Sequence, residues 1–323
     1  MAKAAGVSRQ TVSRALNDLG EISPGTRARV MDAVAALGYR PNMFARGMKT
    51  RRSDVVGLVV SDIANPFYPS VARGVFDAAR ERGWNVVIYN TDADRDREAA
   101  ALVDLVDRGA QGAVGFFYAL PEEELAGFAA SLPLVVADRR LTNPALSVVS
   151  ADFVGGTETA VDYLVSGGHR EIGMLDSGVG LAVDERRDAF VEAMARHGLD
   201  ASASVVVGSP DLAGGAAATR ALLAERPGTT AVFGFNDLMA LGAVRALREL
   251  GVAVPGGCAV IGFDDLEFSQ YADPPLTTIH SDKHEHGVLL VRTLDDLRPD
   301  GKGGAAAPIR ISMPVRLVRR TSA

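Results

Sequence analysis

From position 55 onward, apolar runs of strand length alternate with amphipathic stretches of helix length. The apolar runs predict strands over Val55–Val60, Asn85–Tyr89, Ala113–Phe116, Leu134–Ala137, Ile172–Leu175, Ser204–Val207, Ala231–Gly234 and Ala259–Phe263. Between or after them, helical spacing predicts Pro69–Arg82, Arg95–Arg108, Glu122–Ser131, Gly155–Ser166, Asp184–His197, Leu212–Glu225, Leu238–Leu250 and Lys283–Leu297. Short apolar strands separated by helices imply parallel sheet buried on both faces. The strand count would also satisfy one closed barrel. A polar stretch from Arg139 to Asn143 and a short segment around Val148 to Asp152 interrupt the alternation near its middle, which favours two doubly wound lobes. A last strand is predicted over Ile309–Leu317. Ligands of such sheets sit beyond the carboxyl ends of the strands. Ser61-Asp62, Asp138, Asp176 and Asp264-Asp265, all at strand ends, are therefore expected to converge on one cleft.

The first 53 residues have a different texture. Ala2 to Ala5 is a fragment of helix, Gly6 supplies a left-handed turn, and Ser8 is placed to cap a second helix over Arg9 to Leu16. On that helix Val12, Ala15 and Leu16 point one way, and Gln10, Ser13, Arg14 and Asn17 fall on the other face. Ser23-Pro24 is a cap with proline at the first helical position. Val30, Val34 and Leu37 then line a third helix that Gly38 can close. Pro41-Asn42 opens a short fourth segment, Met43 to Met48, and Lys49 to Ser53 is a polar linker.

Charge divides the chain at the same place. Residues 1–53 hold ten Lys and Arg against three acids, a net of +7, and the remaining residues carry a net of −13 within an overall −6. A basic head on an acidic body points to a polyanion met by the head alone. The 47% hydrophobic, 23% charged composition of the 323 residues is that of a globular protein of about two domains. No apolar run reaches the roughly 18 to 20 residues of a membrane span, and residues 1–20 lack the apolar core of a secretion signal. The one cysteine, Cys258, has no partner for a disulfide. A cytoplasmic protein without membrane contact is the expectation.

Ala4-Ala5-Gly6-Val7-Ser8, Thr11-Val12-Ser13-Arg14 with Asn17, and Gly38-Tyr39-Arg40-Pro41-Asn42 with Ala45-Arg46 resemble the headpiece of lactose/galactose-repressor-type bacterial regulators. The similarity continues in order through Asp62 with Asn65-Pro66-Phe67, Gly168-His169-Arg170 with Ile172, Asn236-Asp237 with Ala240-Leu241-Gly242, Gly262-Phe263-Asp264-Asp265 and Pro275-Leu276-Thr277-Thr278-Ile279. The resemblance implies an all-α helix-turn-helix headpiece over 1–41 and a hinge helix and linker over 42–53. An α/β two-lobed, periplasmic-binding-protein-like core of doubly wound parallel sheets would fill 54–323. Its N-lobe is expected over about 54–152 plus 283–312, its C-lobe over 153–282 plus 313–321, with the chain crossing between lobes three times. Four positions depart from the family pattern: Met1 for valine, Met48 for the usual minor-groove leucine, Ala189 for glycine and Arg316 for glutamate. The Thr-x-x-Asp that opens the first helix in the family is also absent. Met1 is thus expected to be a valine codon taken for an initiator, and an extended form carrying that turn is expected to bind DNA more tightly.

In the head, arginine can fork onto guanine and glutamine onto adenine, so Arg9, Gln10 and Arg14 are the candidates for base edges. Ser8, Thr11, Ser13 and Asn17 are candidates for phosphate contacts, and Met48 for an apolar wedge. By resemblance Arg186, Asn236 and Asp264 match effector-contacting positions, Asp138 more loosely, and Phe67 lies where the family places an aromatic against the ligand ring. Trp84 reads as packing. His280, His284 and His286 cluster beside Glu285, but at a crossover and helix start where polar residues are ordinary, so no metal or other cofactor is expected. Phosphate-loop, dinucleotide and nucleophile-elbow motifs are absent. These features predict a repressor-like regulator under a sugar-like effector, acting as a homodimer on a near-palindromic DNA operator. A stand-alone sugar receptor is disfavoured by the missing signal sequence and the basic head, and a sugar-directed enzyme by the missing motifs.

Overall fold

A computed structural model describes residues 1–16, 22–37, 53–178, 184–200, 204–298, 301 and 307–323. The chain divides into two compact units, Met1–Ser53 and Asp54–Ala323.

The small unit packs α1 (Ala2–Ala5), α2 (Arg9–Leu16) and α3 (Pro24–Ala36) around Ala5, Val12, Ala15, Val30 and Ala33. Gly6 ends α1 in the left-handed region at φ 63°, and its amide donates to the Ala2 carbonyl. Ser23 caps α3 by accepting from the Thr26 amide at 3.3 Å, with Pro24 at the first helical position. Leu37, expected to line the third helix, instead follows it and is 55% exposed. Asn17, Gly38 and the fourth segment from Pro41 to Met48 lie outside the described residues, as does the proposed hinge helix.

The large unit contains two six-stranded sheets. The first orders β2 (Asn85–Asn90), β1 (Val55–Val60), β3 (Gly112–Gly115), β4 (Leu134–Ala137), β5 (Ser147–Ala151) and β11 (Arg310–Met313), all parallel. The second repeats the order with β7 (Val205–Val207), β6 (Ile172–Asp176), β8 (Ala231–Gly234), β9 (Ala259–Asp264) and β10 (Thr277–His280), closed by the antiparallel β12 (Arg316–Val318). Helices cover both faces of each sheet, so the central strands are apolar along their whole length, as β1 shows. On the first sheet α4 (Phe67–Glu81) and α11 (Lys283–Leu297) pack one face, α5 (Arg95–Asp107) and α6 (Glu122–Ala129) the other. On the second, α7 (Phe153–Ser166) and α8 (Asp184–Arg196) oppose α9 (Leu212–Glu225) and α10 (Asp237–Glu249). Among the described residues no helix is long and apolar enough to cross a membrane.

α4 and α11 cross at two glycines. A Cβ on Gly74 would fall 1.9 Å from the His284 carbonyl oxygen, and one on Gly287 would fall 2.1 Å from that of Val71. The close approach lets a late helix seal the sheet begun by β1.

The chain passes between sheets three times, after β5, after β10 and after β11. The single strand predicted over Ile309–Leu317 is two strands in different sheets, because Pro314, which has no amide to donate, interrupts the ladder. Met313, expected in the second lobe, pairs with Ala151 in the first sheet. Two further strands escape the apolar-run criterion: β5 and β10 carry Ser or Thr among their apolar residues, of which Ser147, Thr277 and Thr278 are buried.

Candidate functional site

In each sheet the strand order reverses once, between β1 and β3 in the first and between β6 and β8 in the second. A crevice forms at the carboxyl ends where neighbouring connections leave in opposite directions. One cavity gathers the residues from these ends: Ser61 and Asp62 after β1, Tyr118 after β3, Asp138 after β4, Ser177 after β6, Phe235 and Asn236 after β8, and Asp264 closing β9. Asn65, Phe67 and Tyr68 enter from the start of α4, Phe153 from α7, Glu185 and Arg186 from α8, and Pro210 from the segment before α9.

The five cleft residues predicted from sequence, Phe67, Asp138, Arg186, Asn236 and Asp264, all line this cavity. Two other strand-end acids do not. Asp176 is fully buried and accepts from Arg187 Nε at 2.7 Å and from the Ser177 amide at 2.9 Å. Asp265 accepts from Arg320 Nη2 at 2.6 Å and lies 2.9 Å from His280 Nδ1. Each has been claimed by a cation of its own lobe.

Arg186 has unusual surroundings. Its guanidinium carbon lies 4.0 Å from the ring centre of Phe153, 4.1 Å from that of Phe235 and 4.6 Å from that of Phe263. The residue is 9% exposed, and its Nε has no hydrogen-bond partner among the described residues. Rings on several sides hold the plane of the guanidinium by cation–π attraction without consuming its donors. A buried donor left unsatisfied costs roughly 1–3 kcal/mol, which a ligand acceptor would recover.

The carboxylates around it are differently committed. Asp138 sits in the left-handed region at φ 49°, a conformation aspartate tolerates better than most residues, and its Oδ1 accepts from the Ala151 amide at 3.0 Å. Asn236, expected by resemblance to contact the effector, is partly spent. Its Oδ1 caps α10 through the Met239 amide at 2.8 Å, and its Nδ2 donates to the Pro210 carbonyl at 3.1 Å. Burial pushes the Asp264 carboxyl up to about 8, partly opposed by Arg186 and Lys283 and reinforced by Asp237 and Asp138. Burial raises Glu185 as well.

The aromatic wall comes from the first lobe. Phe67, Tyr68 and Phe116 meet edge to face with ring centres 4.9 to 5.7 Å apart. Ser61 Oγ donates to Tyr68 Oη at 2.5 Å. Burial raises the Tyr68 hydroxyl to about 12 and that of Tyr118 well above its usual value, so both present neutral hydroxyls. Tyr118, Phe153 and Phe235 were invisible in the sequence because an aromatic beside an apolar strand reads as core. Glu185 had one available signal, its place next to Arg186.

A pH dependence follows from Asp264. Its pKa is raised on folding, so the neutral form fits the native core and the charged form does not. Stability from this group is fully present below about pH 4 and is lost as the pH climbs through about 8. Asp264→Asn does not titrate there. The gap between its melting temperature and that of the parent should widen in the variant's favour from acid to about pH 8 and then level off. A constant gap across that range would refute the assignment.

In the small unit, the polar face of α2 carries Arg9, Gln10 and Arg14 exposed, with Ser8 exposed at its start and Thr11 and Ser13 half-buried. Ser8 Oγ accepts from the Thr11 amide at 3.0 Å, and the two hydroxyls are 2.8 Å apart. Val12 and Ala15 fill the opposite side. Asn17 and Met48 lie outside the described residues. The three clustered histidines part company: His280 turns to Asp265, His284 to Asp77 at 3.0 Å and His286 to the Val149 carbonyl at 3.1 Å.

Known proteins share both units. The family model of bacterial regulatory proteins, lacI family, matches residues 1–42, and that of the periplasmic binding protein-like domain matches 161–323. The HTH-type transcriptional regulator GalS of Salmonella typhimurium is 38% identical over 282 residues, 86% of this chain and 83% of its own. A solved lac repressor dimer, bound to operator and the anti-inducer ONPF, superposes with a TM-score of 0.90 at 28% identity, covering 99% of this chain and 97% of that one. The complex of the transcriptional regulator CelR with cellobiose gives 0.76 at 32% identity, covering 100% and 98%. Similarity of this depth across both the helical unit and the two-sheet unit leaves one assignment: the chain belongs to the lacI family of bacterial regulatory proteins, and it is a DNA-binding transcriptional regulator rather than an enzyme.

Proposed function

We propose that this regulator is a cytoplasmic repressor that binds a near-palindromic operator as a homodimer and is controlled by a sugar or sugar derivative held in the cavity. The observation that carries the effector half is Arg186, a buried guanidinium fixed between aromatic rings with a donor unspent, facing acids at the carboxyl ends of both sheets. A ring bearing hydroxyls suits this lining. Its apolar faces stack on Phe67 and its neighbours, and its hydroxyls accept from Arg186, donate to Asp138 and Asp264, and exchange either kind of bond with Asn236. The relatives solved in complex with cellobiose and with bound ribose support this class.

The DNA half rests on α2. Arg9, Gln10 and Arg14 read base edges, while Ser8, Thr11, Ser13 and Asn17 hold phosphates. Residues 42–53 form the hinge, with Met48 as its minor-groove wedge. One short recognition helix reads only a few base pairs, so two copies about one helical turn apart supply useful specificity. Arg14→Ala is expected to weaken operator binding by about tenfold or more, since a bidentate base contact is worth roughly 1–3 kcal/mol, and to leave effector binding unchanged. Equal loss of both activities would contradict the division of labour.

A thermal-shift screen of the full chain against small sugars and nucleobases tests the effector reading, because a ligand that binds only the folded state raises its stability by mass action. A sugar that raises the melting temperature supports it. A response to nucleobases alone would overturn it.

A further inference from the structure

Tyr118 reaches the cavity on a turn, residues 116–120, that follows β3 and is held by two charged side chains the cavity itself does not contain. Glu98, from the first turn of α5, is fully buried. Its carboxylate accepts from three consecutive amides: Tyr118 at 2.9 Å, Ala119 at 3.1 Å and Leu120 at 2.8 Å. Arg139, 3% exposed, works on the same turn from the opposite polarity. Its Nη1 donates to the carbonyls of Phe117 at 2.7 Å and Leu120 at 2.6 Å.

The cost of this arrangement says it has a purpose beyond cohesion. Two full charges have been taken out of water to satisfy five backbone groups that an ordinary surface turn would leave to solvent. Burial raises the Glu98 carboxyl, while the three amides and Arg139 pull it back toward the charged form that accepts all three bonds. Phe117 and Leu120 anchor the turn in the core below, which leaves Tyr118 as the side chain it presents to the cavity. Arg139 also follows Asp138, whose left-handed backbone and Ala151 contact fix one of the cavity's carboxylates on the same lobe.

We infer that Glu98 and Arg139 are positioning residues of the cavity, a brace that sets the Tyr118 ring and the adjacent Asp138 at a fixed separation and so selects the effector by shape. The brace stands on the geometry alone; its part in selection rests on the cavity being the effector site.

The test uses the full chain labelled with 3-fluorotyrosine, which gives six resonances assignable by Tyr→Phe variants. In Glu98→Gln one acceptor oxygen becomes a donor facing the same amides. The Tyr118 resonance is expected to shift or broaden while those of Tyr163 and Tyr271, in the other lobe, stay in place. Amide exchange at 118–120 should accelerate by about tenfold or more. A folded variant with the parent's Tyr118 resonance and exchange overturns the brace, as does an equal change in all the tyrosines. If Glu98→Gln does not fold, Arg139→Met, which removes the nitrogen that donates to both carbonyls, is held to the same outcomes. The second arm titrates the sugars that bind the parent. A brace that sets shape alters the ratio of affinities among them, whereas a purely structural role weakens all in proportion and would remove the selection claim. If no sugar binds the parent, the effector reading and the selection claim fall together, and the Tyr118 resonance still decides the brace.

Discussion

Arg186→Ala is expected to lower effector affinity by about a hundredfold while operator binding in the absence of effector stays within about twofold. A hydrogen bond to a charged group contributes roughly 1.5–3 kcal/mol net, and a guanidinium with its plane held by Phe153, Phe235 and Phe263 offers more than one such bond to a ligand. Two bonds lost come to about 3 kcal/mol, or roughly a factor of a hundred. Alanine also leaves a slot between the rings that they can collapse into, so a larger loss would still fit. The measurement is calorimetric titration of parent and variant with a sugar that stabilises the parent. A change of less than about threefold would mean that Arg186 is a packing residue and that the unpaired Nε has no ligand to serve.

The largest expected effect on stability lies beside the cavity. Asp237, fully buried at the start of α10, accepts from the Leu266 amide at 2.7 Å, from Ser269 Oγ at 2.6 Å and from Thr278 Oγ1. One carboxylate therefore ties α10 to the short 3-10 turn Glu267–Tyr271 and to β10. Even the glycine opposite serves it, since a Cβ on Gly262 would fall 2.3 Å from Asp237 Oδ1. Asp237→Ala leaves three buried donors without an acceptor, at roughly 1–3 kcal/mol each before relaxation. A net loss of about 4 kcal/mol is expected, which lowers the melting temperature by roughly 10 °C for a unit of this size. Differential scanning calorimetry checks it. A loss below about 1 kcal/mol would show that the turn repacks without its anchor.

Much of this was legible in the chain, and the failures have physical reasons. The central strands declared themselves because burial on both faces leaves no polar position to confuse the run, as in Val55–Val60. β5 and β10 did not, because Ser147, Ser150, Thr277 and Thr278 read as surface until the sheet around them is known. The end of the chain read as one strand because apolar residues alternate on both sides of Pro314, yet that proline separates strands of different lobes. The rule that ligands gather at carboxyl ends brought the strand-end acids to one cleft, but of the two pairs Asp138 and Asp264 line the cavity and Asp176 and Asp265 do not. What separates the pairs is a cation supplied from elsewhere: Arg187 lies eleven residues from Asp176 and Arg320 fifty-five from Asp265. The Asp237 anchor was hidden for the same reason, its partners lying 29 to 41 positions downstream.

A chain that reads DNA with its small unit and answers to a small molecule in its large one must couple the two in a single binding curve. Fluorescence anisotropy of a labelled palindromic fragment from the DNA upstream of the gene, titrated with the full chain with and without a saturating sugar identified by thermal shift, tests it most directly. Tight binding with two protomers per palindrome is expected, with a sugar-dependent change in apparent affinity of about tenfold or more and no such change in Arg186→Ala. Operator affinity that is no better than for unrelated DNA, or that is the same at saturating sugar, would contradict it.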